Sequence, residues 1–348
     1  MRRLARFFMI ALTGSLLASN GVAQTDKHKP VQSEDEPIKL HTTLVQVPVV
    51  VKEKGGRYLT DLRKDDFSIY EDGARQAIEY FGTTEEPFNV ALLLDSSGST
   101  ADQLQQIKAA ALAFIDNLRP QDKVLLIEFN DSVRILSELT SNREQLRRAI
   151  ADIQPGEYTQ VYEAVYTAVW ERLADIEGRK AVILFTDGID NASSEIVEED
   201  TLDAVIESED IIIYPIRYST RADVERRIER KFAAQRVSNS ENAEADQQRA
   251  QKAEMEHQKA MQELDRTYRQ ADAYLEELAR LSGGVVERAD QITDLKGALS
   301  RIADELRKQY WLGYYPPNEK QVTSRRISVK VARPDAIVRA RPGYKTTQ

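Results

Sequence analysis

Cysteine is absent from the 348-residue chain. That excludes a disulfide framework, a thiolate metal site and a lipid-modified cysteine. Histidine is nearly absent as well. His28, His41 and His257 all sit in polar surroundings and read as surface residues, so a Ser-His-Asp hydrolase has almost no candidate for its base. Neither a Gly-x-Ser-x-Gly elbow nor a Walker phosphate loop occurs. Positive charge is in deficit, with 48 Lys and Arg against 57 Asp and Glu and a formal charge of −9. Such an acidic chain is poorly suited to holding a phosphate backbone, and nucleic acid is not an expected partner. No apolar run is long enough for a comfortable membrane span.

What is present is a globular composition, 41% hydrophobic and 30% charged, in a chain long enough for more than one domain. Arg2, Arg3 and Arg6 precede the apolar run Phe7 to Leu12 and Leu16 to Ala18, and Gly21-Val22-Ala23 offers small residues for cleavage. Residues 1–23 therefore read as a secretory signal peptide, with an uncleaved N-terminal anchor as the alternative. Its removal would take the charge from −9 to −12, because three arginines leave with it. The expected location is exported, either periplasmic or secreted. Residues 24–36 are polar and aperiodic and read as a linker.

Residues 37–84 form an expected β segment. Leu40 to Lys52 alternates and is rich in Val and Thr, and Pro48 suggests an edge strand or a bulge. Phe67 to Glu71, the turn Asp72-Gly73 and a return strand over Ala77 to Phe81 read as a hairpin. The segment is too small to bury both faces of its strands alone.

From residue 86 to 308 strands and helices alternate, which predicts a doubly wound, mostly parallel, Rossmann-like α/β sheet domain. Val90 to Leu94, Val124 to Phe129, Lys180 to Phe185 and Ile211 to Ile216 are apolar runs expected of strands buried on both faces. A further short strand is expected around Ser132 to Leu136, and another at Val285-Val286. Leu104, Ile107, Ala111, Phe114, Ile115 and Leu118 recur at helical spacing. Ser141 to Glu144 fits a capping box before Leu146, Ile150 and Ile153. Val161, Val165, Val169 and Leu173 mark another helix, and one more is expected over Glu199 to Ser208. Residues 221–270 depart from this style, being dense in charge, and read as a helical insertion interrupted at Ser238 to Asn242. They are either solvated helices or an interaction arm. Helical faces then return at Tyr274, Leu275, Leu278 and Leu281, and at Leu295 to Leu306. Residues 309–348 again read as strands. The two β flanks are expected to pack together, so that the α/β domain is inserted into one β domain. Trp170, Trp311 and the Tyr314-Tyr315 pair read as core or sheet aromatics.

The chemistry gathers at strand ends. Asp95-Ser96-Ser97-Gly98-Ser99-Thr100 follows the first buried α/β strand, Asp187 follows a second, and Thr159 lies in a loop entering a helix. Ligands of open parallel sheets sit beyond the carboxyl ends of the strands, where the winding reverses. A set of carboxylate and hydroxyl oxygens suits a hard divalent cation such as Mg2+ rather than a redox metal. The competing explanation is that Ser99 or Thr100 caps the helix and the aspartates satisfy loop amides. Asp190 reads as a turn acid.

Asp95-x-Ser97-x-Ser99, Thr159 and Asp187-Gly188, in this order and at these boundaries, resemble the metal-ion-dependent adhesion site of the von Willebrand factor A domain family. The stretches Asp65 to Gly73 and Leu306 to Tyr314 are similar to an exported bacterial group of such proteins. The long charged insertion departs from the usual pattern. The resemblance implies that Ser97, Ser99 and Thr159 offer hydroxyls to Mg2+, or to Mn2+ or Ca2+ in its place, while Asp95 and Asp187 act through waters and hydrogen bonds. It implies a non-enzymatic binding module whose partner is a protein or peptide bearing an Asp or Glu. A structural scaffold acting through the charged insertion is the alternative, and a metal-dependent hydrolase is the third reading.

Overall fold

The computed structural model describes residues 44–82, 86–208, 210–236, 243–289, 294–316 and 324–345. The expected signal peptide and linker, with His28 and His41, lie outside them, as does Ser238 to Asn242.

The first flank holds β1 (Val45–Glu53), β2 (Phe67–Glu71), β3 (Ala74–Gln76) and β4 (Tyr80–Gly82). Asp72 and Gly73 take φ of 49° and 87°, the left-handed pair that a two-residue hairpin turn requires. The return strand differs from expectation, because so tight a turn sets Ala74 directly opposite Glu71. Pairing ends at Gln76, and the chain then crosses to another sheet, carrying Ile78 and Phe81 into the core between them.

The α/β domain follows in the order β5 (Phe88–Asp95), α1 (Leu104–Asn117), β6 (Lys123–Phe129), β7 (Val133–Thr140), α2 (Arg143–Ala151) and α3 (Val161–Tyr166). After α3 one π-helical turn (Thr167–Arg172) leads to β8 (Arg179–Thr186), α4 (Glu198–Glu207) and β9 (Ile211–Tyr218). The long α5 (Arg221–Arg236) and α6 (Ala243–Ser282) come next, then β10 (Glu287–Ala289) and α7 (Leu295–Leu306). The second flank is β11 (Tyr310–Tyr314), β12 (Arg325–Val331), β13 (Ala336–Ala340) and β14 (Gly343–Tyr344).

The central sheet has the order β10-β9-β8-β5-β6-β7, with only β7 antiparallel to its neighbour. Successive residues of a strand point to opposite faces, and in β5 both faces are covered. Val90, Leu92 and Leu94 join α1 and α7 in one core, while Ala91 and Leu93 join α3 and α6 in the other. The chain leaves β5 first toward β6 and β7, then returns to β8 and β9 on the other side. The winding therefore reverses at β5.

The flanks build two four-stranded sheets, β13-β1-β11-β4 and β14-β12-β2-β3. Each mixes strands from both ends of the chain, since β1 pairs with β11 and β13, and β12 pairs with β2. The flanks thus form antiparallel sheets around the inserted α/β sheet. β1 is an interior strand rather than the edge that Pro48 suggested. Pro48 is tolerated because it lies on the half of β1 paired only with β11, and β13 joins from Val49 onward.

Other expectations are corrected locally. Asn142, not Ser141, caps α2, accepting from the Gln145 amide at 3.1 Å. Trp170 is 40% exposed and lies near Tyr166 on the outer face, because the π turn keeps Val169 and Leu173 inward instead. Trp311 and Tyr314 are buried, whereas Tyr315 is exposed. β10 begins two residues after Val285. Gly284 first crosses over β9, where a Cβ would meet the Ile213 carbonyl at 1.8 Å. The charged insertion has no boundary at residue 270. α5 and the outer part of α6 pack as a helical arm around Phe232, Ala253 and Leu264, and the same α6 continues until Ala271, Tyr274, Leu275 and Leu278 are buried on the sheet. Among the described residues no helix is long and apolar enough to cross a membrane.

Candidate functional site

Parallel pairing of β5 with β8 brings Leu94 level with Phe185, so Asp95 and Thr186 end their strands side by side at the reversal point. Both Asp95 and Asp187 are fully buried. One oxygen of Asp95 accepts from the Ser97 amide at 3.0 Å and the other from the Thr186 hydroxyl at 2.8 Å. Asp187 accepts from the Ile189 amide at 3.1 Å, from Ser99 Oγ at 3.3 Å and from Thr220 Oγ1 at 2.6 Å. Ser97 Oγ and Ser99 Oγ lie 3.1 Å apart. Asp95, Ser97, Ser99 and Asp187 therefore form one continuous hydrogen-bonded cluster.

Thr159 has no hydrogen bond to this cluster among the described residues, but its loop is fastened beside it. It is buried, its amide donates to Asn191 Oδ1 at 2.8 Å, and its carbonyl accepts from the amides of Asn191 and Ala192. The same loop is tied to the Asp95 loop by the Gly156 amide, which donates to the Ser96 carbonyl at 2.8 Å. Beneath them Glu128, fully buried, accepts from Ser96 Oγ and the Gln154 amide, and pairs with Arg134.

Capping does not account for the hydroxyls. Thr100 Oγ1 donates back to the carbonyls of Ser97 and Asp95, and neither α1 nor the short 3-10 turn before it has a side-chain cap. Asp190 behaves as a turn acid, accepting from the amides of Tyr162 and Ser193 and from Ser193 Oγ.

Electrostatically the cluster is unbalanced. Burial, and secondarily the Asp187 charge, push the Asp95 carboxyl up to about 7; burial raises Asp187 too. No Lys or Arg forms an ion pair with either among the described residues, and the nearby Arg217 is engaged with Asp272 at 2.7 Å. Tyr218, at the end of β9, is fully buried, and its hydroxyl has no hydrogen-bond partner among the described residues. Burial and the charges of Asp95 and Asp187 raise its pKa far above the usual phenol value. Two buried carboxyls, a pair of facing serine hydroxyls and the buried Tyr218 phenol beside them fit a hard cation with its water. No group of three or more His, Cys, Asp or Glu side chains is placed to hold a metal among the described residues. Any cation site here is consequently built from two carboxylates and hydroxyls.

Four residues around the cluster lay outside the sequence expectation: Thr186, Tyr218, Thr220 and Tyr268. Thr220 Oγ1 lies 2.6 Å from both Asp187 and the Tyr268 hydroxyl, which links the site to α6. Gly188, with φ of 82°, is crossed so closely by α6 that a Cβ there would lie 2.9 Å from Leu275. Thr186 adjoins Asp187 and was visible as a strand-end hydroxyl. The other three are brought in only by tertiary packing.

Fold and edge together define a doubly wound α/β domain with a buried carboxylate-hydroxyl cluster at its switch point. Residues 90–189, which contain Asp95, Ser97, Ser99, Thr159 and Asp187, match the family model of the von Willebrand factor type A domain. An uncharacterised protein of Synechocystis sp. is 32% identical over 106 residues, 29% of this chain and 25% of that protein. The chain thus matches about a quarter of that curated relative's length. Solved structures similar to it include a von Willebrand factor type A protein from Catenulispora acidiphila, at 10% identity over 82% of this chain and 76% of that one, with a TM-score of 0.44. Proximal thread matrix protein 1 from the mussel byssus, with a zinc-occupied MIDAS motif, is 14% identical over 67% and 48%, with a TM-score of 0.44. The conserved hypothetical protein BatB from Bacteroides thetaiotaomicron is 16% identical over 63% and 100%, with a TM-score of 0.36.

Proposed function

We propose that this chain is an exported, cation-dependent protein-binding module. In this reading Ser97, Ser99 and Thr159 supply hydroxyl oxygens to Mg2+, or to Mn2+ or Ca2+, and Asp95 and Asp187 hold it through water and hydrogen bonds. Neutral direct ligands leave much of the ion's charge uncompensated, so it attracts a further carboxylate from outside. An Asp or Glu of a protein partner fills that role. The observation that carries the reading is the buried Asp95-Asp187 pair, bridged by hydroxyls and left without a counter-cation among the described residues. In this reading the role is binding rather than catalysis; His257, the histidine among the described residues, lies on the arm against Phe232. Export rests on the signal-like residues 1–23.

Calorimetric titration of the metal-free chain with MgCl2, followed by a glutamate-containing peptide, tests this. Saturable Mg2+ binding that is lost in Asp95→Ala, with peptide binding only when Mg2+ is present, is the expected result. Peptide binding that persists in chelator would sink the cation bridge. A scaffold role for the arm is favoured by its exposed surface, including Met255 at 65% exposure. Partner capture that survives chelation and Asp95→Ala but is lost on removing residues 226–261 would establish that role instead.

A further inference from the structure

The charged insertion is fastened to the very edge of the sheet that carries the Asp95 cluster. Three residues of α6 meet the end of β9 and the turn after it. Asp272 accepts from Arg217 Nε at 2.7 Å and from its Nη2 at 3.2 Å. The Tyr268 hydroxyl lies 2.6 Å from Thr220 Oγ1. Asp265 pairs with Arg221, whose guanidinium carbon also sits 6.0 Å from the centre of the Tyr268 ring. Spacings of three and four place Asp265, Tyr268 and Asp272 on one face of the helix. Ala271 and Leu275 press on Gly188 beside them. α6 thus covers both chain segments, after β8 and after β9, that leave this edge.

Within that contact Thr220 joins Tyr268 to Asp187. Thr220 and Tyr268 are both buried. Thr220 Oγ1 donates to Asp187 Oδ2 at 2.6 Å, and the same oxygen accepts from Ser99 Oγ at 3.3 Å. A hydroxyl carries one proton. With that of Thr220 directed at Asp187, the Tyr268 hydroxyl is the donor to Thr220. Tyr268, Thr220 and Asp187 therefore form a chain of donors that runs one way and ends on a carboxylate oxygen beside Ser99. Hydrogen bonds in such a chain polarise and strengthen one another in a water-poor interior. Outer hydrogen bonds that orient the inner groups of a metal site also set its affinity.

We propose that α6 is a working part of the cation site: Tyr268 is a positioning residue that orients Asp187 through Thr220, so that cation binding and the seating of the arm favour each other. This rests on the cation reading of Asp95, Ser97, Ser99, Thr159 and Asp187 given above. α6 runs unbroken from Ala243 to Ser282, and Tyr268 lies about 38 Å along its axis from the outer end at the usual helical rise. A protein that grips the arm thereby alters cation affinity without touching the ion. By linkage the cation alters the seating of the arm by the same factor.

The test is calorimetric titration of the full chain with MgCl2, for wild type, Tyr268→Phe, Thr220→Val and the double variant. Met255→Ala, on the exposed outer arm, is the control and should bind as wild type does. Tyr268→Phe keeps the ring and loses only the hydroxyl. It should bind Mg2+ about three- to tenfold more weakly with an unchanged circular dichroism spectrum, a smaller loss than removing a group that touches the ligand itself. In the Thr220→Val background the same change should cost nothing further, because the link it acts through is already gone. In wild type, saturating Mg2+ should slow hydrogen exchange in residues 260–270, which needs no variant to measure. Wild type that binds no Mg2+ would overturn the cation reading and this inference with it. Mg2+ binding that is unchanged in Tyr268→Phe, a loss that recurs in full in the Thr220→Val background, an equal loss in Met255→Ala, or exchange in residues 260–270 indifferent to bound Mg2+ would overturn the coupling alone.

Discussion

At the scale of single residues, the site is a conflict of like charges held in place by hydroxyls. Asp95 and Asp187 are both desolvated, and each is harder to ionise for it. A cation that binds only the folded state adds stability by mass action, about 2.7 kcal/mol at a hundredfold excess over its dissociation constant. Asp95→Asn should separate the two effects. In chelator it is expected to raise the melting temperature, because one of the paired charges is gone; on adding Mg2+ it should show none of the wild-type gain. Differential scanning calorimetry with and without MgCl2 measures both. Thr220 holds an oxygen of Asp187 without belonging to the Asp95 loop. Groups that orient ligands typically contribute 10- to 100-fold to ion affinity. Thr220→Val is therefore expected to weaken Mg2+ binding by about that factor while leaving the far-ultraviolet spectrum unchanged; an unchanged affinity would show that Asp187 is held by other contacts.

At the scale of elements, the strands were legible and the boundaries less so. Val90 to Leu94 could be recognised because a strand covered on both faces has no polar alternation to confuse it. Asp95, Ser97, Ser99, Thr159 and Asp187 stood out because each falls where such a strand or a helix begins or ends. Thr220, Tyr218 and Tyr268 did not, since their relation to the site depends on how α6 lies across Gly188, which no local pattern encodes. The join of arm and sheet was hidden for a similar reason: α6 changes from a charged surface to a buried one without any break in helical spacing. The contact of α7 with the flanking strands is equally invisible in sequence. There Glu305, nearly buried, accepts from Tyr58 at 3.0 Å, pairs with Lys52 at 3.1 Å and also pairs with Arg339. Burial pushes its pKa up, but the charges of Arg339 and Lys52 outweigh that and hold it below the ordinary carboxylate value. A depressed folded-state pKa stabilises the fold above the ordinary carboxylate pKa and ceases to do so as pH falls through the folded value. Glu305→Gln should accordingly cost about 3 kcal/mol at neutral pH. Urea titrations should show that cost fading as the pH drops below the ordinary carboxylate range, where both proteins carry a neutral side chain.

At the scale of the whole molecule, the flanks are a joint property of distant parts of the chain. Val45 pairs with Tyr314, and Tyr80 with Gly313, so the α/β domain is a long excursion whose two ends are fastened side by side. The ribosome makes these partners far apart in time. At about 5–20 residues per second, β1 waits roughly 15–50 s for β11 to be synthesised. Throughout that interval a strand with five valines in nine residues has no partner, the composition that favours strand-to-strand aggregation. Pro48 and Lys52 interrupt it, and both act as gatekeepers in such a segment. Pro48→Val should leave the native hydrogen-bonding pattern intact yet raise light scattering during refolding from urea. If scattering stays at the wild-type level, the residue serves only the finished sheet. The proline that looked like a mark of an edge strand is better understood as protection for a strand whose partner has yet to be made.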